Sequence, residues 1–479
     1  MRVLLLSTYE LGHQPLHVAA PAGSLERAGH EVRCVDLDAE AWDPEAAAWA
    51  DVVAVSVPMH TALRLARDAT AVLRRSRPEV PVCFYGLYAA VDDGAEHEGA
   101  ADVRIAGEYA TELVAFVDGL ADSGAGALEP RTRVELGRTR TGLPARRLLP
   151  SLERYARVVV AGEERLAGYV EASHGCSHRC RHCPVPVVYD GRTRVVAVDE
   201  LLADVAQLVE AGARHLTFGD PDFLNGPHHA RRVVAAVHDA YPELTFDVTA
   251  KVSHVLAHRS LWPELAVAGC VFVVSAFESA SDVVLRNLDK GHTVDDEVEA
   301  TRVLRRCGIE PRPSLLPFTP WTTAADLADL VELVEACDLV GNVDPVQWSI
   351  RLLVPPGSLL LDGGVLDGLL GAYDTEHLGW AWTAPDPRFD TLQAALAGIA
   401  RQAGSESWTP ERAHEAVRGA MDAILGDGVL RPRRPPDADL RSPLSPTQRP
   451  RLTEAWFCCA EPTDEQRRGT LAAMAGTAQ

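Results

Sequence analysis

The sequence predicts an α/β protein built from two successive parallel sheets: a Rossmann-like doubly wound sheet, then a partial (β/α) barrel, then a mostly helical C-terminal region. Three observations predict this. Near-continuous β-branched runs alternate with helical segments over the first 120 or so residues. The same strand–helix alternation resumes near Val158 and continues beyond Leu316. Between the two, residues 122–147 are rich in Gly, Arg and Thr and carry no sustained period. Unbroken apolar strands separated by helices are the mark of parallel sheets covered on both faces.

The first domain, residues 1–122, opens with the strand Val3–Ser7 and the helix Pro15–Ala28, closed by Gly29. Strands Val32–Asp36 and Val52–Val57 follow, then a helix from Thr61 to Arg74. Val80–Tyr85 and the short Val103–Ile105 complete the sheet, and Glu108–Leu120 covers it. Ligands of such sheets sit at the carboxyl ends of the strands. That gathers Tyr9–Gln14, Ser56–His60 and Gly86–Ala90 around one crevice, where His13, His17 and His60 read as surface or packing histidines. Residues 123–157 are expected to be a linker.

The second domain, residues 158–365, continues with helices Val198–Ala211 and Pro227–Ala240 and the strand Leu244–Ala250. After these come the helix Leu261–Ala268, the strand Val271–Ala276, the helix Val294–Cys307 and the strand Ile309–Leu316. The tail, 366–479, has helical patterns near Thr391–Ala403 and Pro410–Leu425. It ends in a Pro/Arg-rich loop and the run Trp456-Phe-Cys-Cys-Ala-Glu-Pro462.

Composition narrows the function. The chain has 479 residues, 47% of them hydrophobic, with 46 basic and 68 acidic residues and a net charge of −22. A surface that acidic repels phosphate backbones, so no nucleic-acid partner is expected. No run approaches the ~18 apolar residues of a membrane span. Five of the ten cysteines (Cys34, Cys83, Cys270, Cys307 and Cys337) stand singly in apolar runs, as reduced core thiols do. A cytoplasmic location is expected.

Cys176, Cys180 and Cys183 form a C-x3-C-x2-C loop just after a strand-like run. Three thiolates in one loop suit three irons of a [4Fe–4S] cluster and leave the fourth iron open. A structural zinc site needs a fourth, remote ligand. The loop resembles that of the radical S-adenosylmethionine (SAM) superfamily, in which the open iron binds SAM. The resemblance implies cluster ligation by the three cysteines, with His182 where the family has an aromatic residue near the adenine. Phe218-Gly-Asp-Pro-Asp-Phe-Leu-Asn225 resembles the segment near the methionine moiety of SAM, implying roles for Gly219 and Asp220; Asp220 and Asp222 also read as caps. Cys270–Thr293 resembles the strand and helix carrying a Glu-Ser pair, implying that Glu278 and Ser279 line the SAM pocket. Lys251, after a strand, faces either the barrel or solvent.

The segments Ser24–Glu40, Ala50–Leu63 and Val103–Phe116 resemble the cobalamin-binding domain that precedes many radical SAM cores. The D-x-H-x-x-G motif for a lower cobalt ligand is absent, and Tyr85-Gly86 stands where a glycine pair is usual. Cobalamin and a docking domain without it are both open readings. The tail resembles the CUAEP/CCAEP-tail radical SAM family, implying that Cys458 and Cys459 hold a substrate, donate a hydrogen atom or ligate a metal. Vicinal thiols suit soft elements. The leading expectation is therefore a radical SAM enzyme that alkylates or methylates a small molecule, with arsenic at the tail cysteines as one substrate. The alternatives are a cobalamin-dependent radical SAM methyltransferase on carbon or phosphorus, and a non-enzymatic iron–sulfur or metalloid sensor. An electron donor such as flavodoxin or ferredoxin is the expected protein partner.

Overall fold

The computed structural model describes residues 1–91, 100–123, 131–138, 140, 142–384, 386–454, 467, 468, 470, 471 and 474. Cys458 and Cys459 lie outside the described residues.

The first sheet contains β1 (Arg2–Ser7), β2 (Glu31–Asp36), β3 (Val52–Ser56), β4 (Val82–Tyr85), β5 (Val103–Gly107) and β6 (Arg131–Glu135). Its order is β2-β1-β3-β4-β5-β6, and every pairing is parallel. Side chains of a strand alternate between faces, so β1 feeds two cores. Leu4 and Leu6 join Val53 and Val55 on one side. Val3 and Leu5 join Val52 and Ala54 on the other. β6 falls within the stretch read as linker. Its sequence, Arg-Thr-Arg-Val-Glu, alternates charge with β-branched residues and suits a sheet edge.

The second sheet contains β7 (Arg157–Val160), β8 (Glu163–Val170), β11 (His215–Phe218), β12 (Thr245–Thr249), β13 (Cys270–Glu278), β14 (Glu310–Leu315) and β17 (Arg451–Leu452). Two short strands, β9 (Ser173–Gly175) and β10 (Thr193–Val195), pair with each other beside it. The order of the large sheet is β14-β13-β12-β11-β8-β7-β17. The run from β8 to β14 is parallel, and a parallel bridge from Phe318 to Arg351 extends the half-barrel. β7 and β17 close the other edge antiparallel. Capping makes the element starts sharp. Thr293 and Asp296 form a reciprocal capping box before the helix Val294–Arg306, which has acidic residues in its first turn and Arg305 and Arg306 in its last.

The tail differs from its helical expectation in carrying strands, β17 in the large sheet and a separate hairpin. β15 (Leu370–Asp374) and β16 (Gly379–Trp382) form a hairpin. Tyr373 and Trp380 pack edge to face across it, 5.5 Å apart, a cross-strand aromatic pair of the kind that stabilises hairpins. Helices Arg388–Ser405 and Pro410–Leu425 follow. Among the described residues no helix is long and apolar enough to cross a membrane.

The two domains are pinned by Arg146. Its guanidinium grips Asp204 with two bonds of 2.6 and 2.7 Å, donates to the Tyr169 carbonyl at 2.7 Å and reaches Gln14 Oε1 at 3.1 Å. Both side chains of the ion pair are nearly solvent-free. Removing one partner strands a buried charge, which costs about 3–5 kcal/mol. Arg146→Ala is therefore expected to lower the free energy of urea-induced unfolding by that order, and Arg146→Lys, lacking the planar fork, to recover little of it.

Candidate active site

The cluster loop leaves β9 and carries Cys176, Cys180 and Cys183 before the short helix Val185–Tyr189. Cys176 and Cys180 are buried, and Cys183 is partly so. Val185, Val188 and Tyr189 share a core with Val57, Tyr88 and Ala89 of the first domain. The loop is thus held against the carboxyl edge of the first sheet. Burial pushes the Cys183 thiol up to about 12 and raises that of Cys176. Metal coordination reverses this by fixing the thiolate. Lys251 Nζ lies 3.3 Å from Cys180 Sγ, so this lysine faces the loop rather than solvent.

Glu278 ends β13 where its register with β14 shifts, and its backbone is left-handed, φ +68°. A non-glycine residue held there is strained, and such strain concentrates at functional sites. Its Oε1 accepts from buried Lys290 Nζ at 2.9 Å and lies 3.3 Å from His182 Nε2. Burial opposes its charge, yet Lys290 and His182 outweigh burial and hold the carboxyl well below its usual range. His182 therefore reaches Glu278, joining the cluster loop to the bulge of β13. Ser279 follows, also buried.

Gly219 and Asp220 follow β11. A Cβ at Gly219 would meet Tyr169 Oη at 1.9 Å, so only glycine lets that ring pack there. Asp220 accepts from Ala172 N at 2.9 Å and from Ser173 Oγ at 2.5 Å. It thereby fixes the strand that enters the cysteine loop. Asp222 caps the turn Phe223–Asn225 by accepting from Leu224 N at 3.0 Å.

One feature escapes sequence reasoning: a chain of buried charged groups across the domain seam. Ser56 Oγ donates to Glu10 Oε1 at 3.2 Å, and Glu10 Oε2 meets His17 Nδ1 at 3.0 Å. His17 Nε2 lies 3.2 Å from Glu171 Oε1, and Glu171 Oε2 lies 3.3 Å from His174 Nε2. His174 Nδ1 contacts Glu108 Oε1 at 3.0 Å, and Tyr189 Oη donates to the same oxygen at 3.0 Å. Burial alone would lower His17, but Glu10 and Glu171 raise it to about 10. The two carboxylates thus favour the charged form of His17, a half-buried group that does more than pack. A cavity of ≈ 60 Å³ adjoins the network, lined in part by Glu108, Tyr109, Glu171 and His174. Glu171 and His174 sit in the cysteine motif itself, which was a signal; their partners are far off in sequence and carry none.

At the carboxyl end of the first sheet, Gly86 turns at φ +115° against the Val57 backbone, leaving no room for a side chain (a Cβ would stand 3.1 Å from Val57 C and O). Tyr85 before it is fully buried, its ring 5.0 Å from Tyr109. His60, its ring 6.0 Å from that of Tyr88 just after this turn, keeps a buried Nδ1 with no hydrogen-bond partner among the described residues. A glycine-tight turn near an orphaned polar nitrogen fits a polar ligand over these strand ends.

The comparisons agree with this geometry. The family model for the radical SAM superfamily matches residues 170–334. The model for the B12-binding domain matches residues 2–117. The chain thus carries a radical SAM domain behind an N-terminal B12-binding domain, which points to a [4Fe–4S] cluster and SAM in the second domain and cobalamin in the first.

Among curated relatives, it is 25% identical over 169 residues to tRNA-2-methylthio-N(6)-dimethylallyladenosine synthase of Chlorobium luteolum, covering 32% of this chain and 35% of that one. The corresponding synthase of Desulfitobacterium hafniense is 42% identical over 60 residues, 12% of this chain and 13% of the relative. The chain thus spans about a third or less of the curated relatives it matches. Among solved structures, the cobalamin-dependent SAM radical enzyme OxsB, with aqua-cobalamin and SAM bound, superposes with a TM-score of 0.65 at 13% identity, over 88% of this chain and 70% of that one. The radical SAM methyltransferase TsrM from Kitasatospora setae, with cobalamin and cluster bound, gives 0.62 at 15% identity, over 88% and 99%. At these identities the likeness is one of fold.

His17 supplies a pH test. Its folded-state pKa stands above its ordinary value of 6.5, so its contribution to stability is complete below 6.5 and lost as pH rises toward about 10. Urea unfolding midpoints of the wild type are expected to fall over that window relative to those of His17→Gln, and the two profiles to differ least at its alkaline end.

Proposed function

We propose that this protein is a cobalamin-dependent radical SAM methyltransferase acting on a small molecule. The observation that carries the proposal is the seam: the cysteine loop and the strand ends of the B12-binding domain lie side by side, joined through Tyr189 and Glu108. The B12-binding match supports this route better than direct alkylation of a metalloid at Cys458 and Cys459. The names of the tRNA-modifying relatives also bear on methyl-group chemistry, while the net charge of −22 speaks against a phosphate-backbone substrate. An electron-transfer protein of the flavodoxin or ferredoxin class completes the reading as reductant.

In this reading Cys176, Cys180 and Cys183 hold the cluster, and the loops after β1, β3 and β4 hold cobalamin. When bound, the cluster supplies the electron that splits the sulfonium of SAM, and cobalamin supplies a carrier for the methyl group. Glu278 and Ser279 face SAM, with Lys290 keeping Glu278 ionised. Gly219 and Asp220 shape the turn beneath the methionine moiety, and Asp220 also holds the entry to the cysteine loop. The buried seam excludes water from the space between the two domains.

Two measurements test this. Anaerobic protein reconstituted with cobalamin is expected to retain about one cobalt per chain. With reductant and SAM it is expected to form S-adenosylhomocysteine only when cobalamin is present; 5′-deoxyadenosine alone, in equal yield without cobalt, would contradict the assignment. Glu278→Gln is expected to weaken SAM binding by about tenfold or more, as loss of a charge-assisted hydrogen bond of ~1.5–3 kcal/mol requires, while cluster iron stays unchanged.

A further inference from the structure

One group of ligand-type atoms lies beside the cluster loop and is used by neither the cluster nor the seam. His178 comes from the cysteine loop, Asp222 from the turn after β11, and His254 from the helix Val252–Ala257 after β12. Among the described residues they alone bring three such atoms within 4.8 Å of one another. His254 Nδ1 stands 2.8 Å from Asp222 Oδ2, His178 Nε2 stands 3.3 Å from the same oxygen, and the two nitrogens are 3.5 Å apart. Donors held ~2.1 Å from one ion at octahedral or tetrahedral angles are separated by roughly 3.0–3.4 Å. The three observed distances bracket that range.

Asp222 adds an independent observation. Its side chain is completely buried. Oδ1 is fixed by the Leu224 N–H, while Oδ2 faces the two imidazoles in ion-pair range. The three ligand-type atoms thus face one another in the fold, and a shared cation would be held by all of them together. Asn225, from the same turn, already accepts from Ser177 N at 3.0 Å and Ser177 Oγ at 2.7 Å, so the turn and the cysteine loop are docked before any ion arrives.

We propose that His178, Asp222 and His254 bind one divalent first-row transition ion of the zinc class, separate from the iron–sulfur cluster. Two imidazoles and one carboxylate suit such an ion, and no thiolate is in the set. The ion ties the cysteine loop to the ends of β11 and β12 and leaves coordination positions for water.

The test uses full-length protein purified anaerobically with its cluster retained, dialysed free of loose metal and titrated with zinc ion alone. Elemental analysis is expected to find one zinc per chain without loss of iron. Asp222→Asn and His254→Gln are each expected to weaken zinc binding by at least about tenfold. X-ray absorption at the zinc edge of the wild type gives a readout that does not depend on how the variants fold: a nitrogen and oxygen shell is expected. A sulfur shell, failure of the wild type to retain zinc, or equal binding by well-folded variants with full iron content would each overturn the proposal.

Discussion

Buried charge at the seam between two parallel sheets is the constraint on which the rest depends. Each sheet sends its chemistry-bearing loops out at the carboxyl ends of its strands, and the two sets of loops meet. Three carboxylates and two imidazoles meet there, Glu10 and Glu108 buried and Glu171, His17 and His174 partly so. Unpaired, such groups are costly to bury; paired in alternation, they satisfy one another. The alternation runs from β1, through the end of β8, to the end of β5, so it fixes how one domain sits on the other. Arg146 and Asp204 fasten the same arrangement from the side.

The cysteine loop inherits its position from that seam. His174 and Gly175 lead directly into Cys176, and Asp220 holds Ala172 and Ser173 just upstream. Tyr189, beyond Cys183, returns to Glu108 of the first domain. Both ends of the loop are therefore tied down, one in the barrel and one on the B12-binding domain. Between them, His182 reaches the strained Glu278, and Lys251 and Lys290 bring positive charge to the thiol side. The cysteine loop, the bulge at Glu278 and the strand ends of the first sheet are thus tied together through one short stretch of chain.

Much of this was legible in the sequence, for physical reasons. Parallel strands buried on both faces write themselves as unbroken β-branched runs, so β1, β3, β12 and the helices Pro227–Ala240 and Pro410–Leu425 lie where periodicity puts them. The cysteine spacing is local and needs no tertiary context. β6, β15 and β17 were harder. They are edge or hairpin strands, short, and carry no continuous apolar run. The seam was harder still, because Glu10 and Glu108 lie far from Glu171 in sequence and each alone reads as a solvated acid. At Gly219 the structure adds a reason that the sequence does not carry: the adjoining Tyr169 ring leaves no space for a Cβ. Cys458 and Cys459, distinctive as a motif, lie outside the described residues and rest on sequence alone.

The most direct measurement is electron paramagnetic resonance of the anaerobically reduced protein, recorded with and without SAM. An open iron beside Glu278 predicts the signal of a reduced [4Fe–4S] cluster whose line shape changes when SAM is added, and which is lost in Cys180→Ala. A protein holding no iron or sulfide, or a cluster signal indifferent to SAM, would contradict the account.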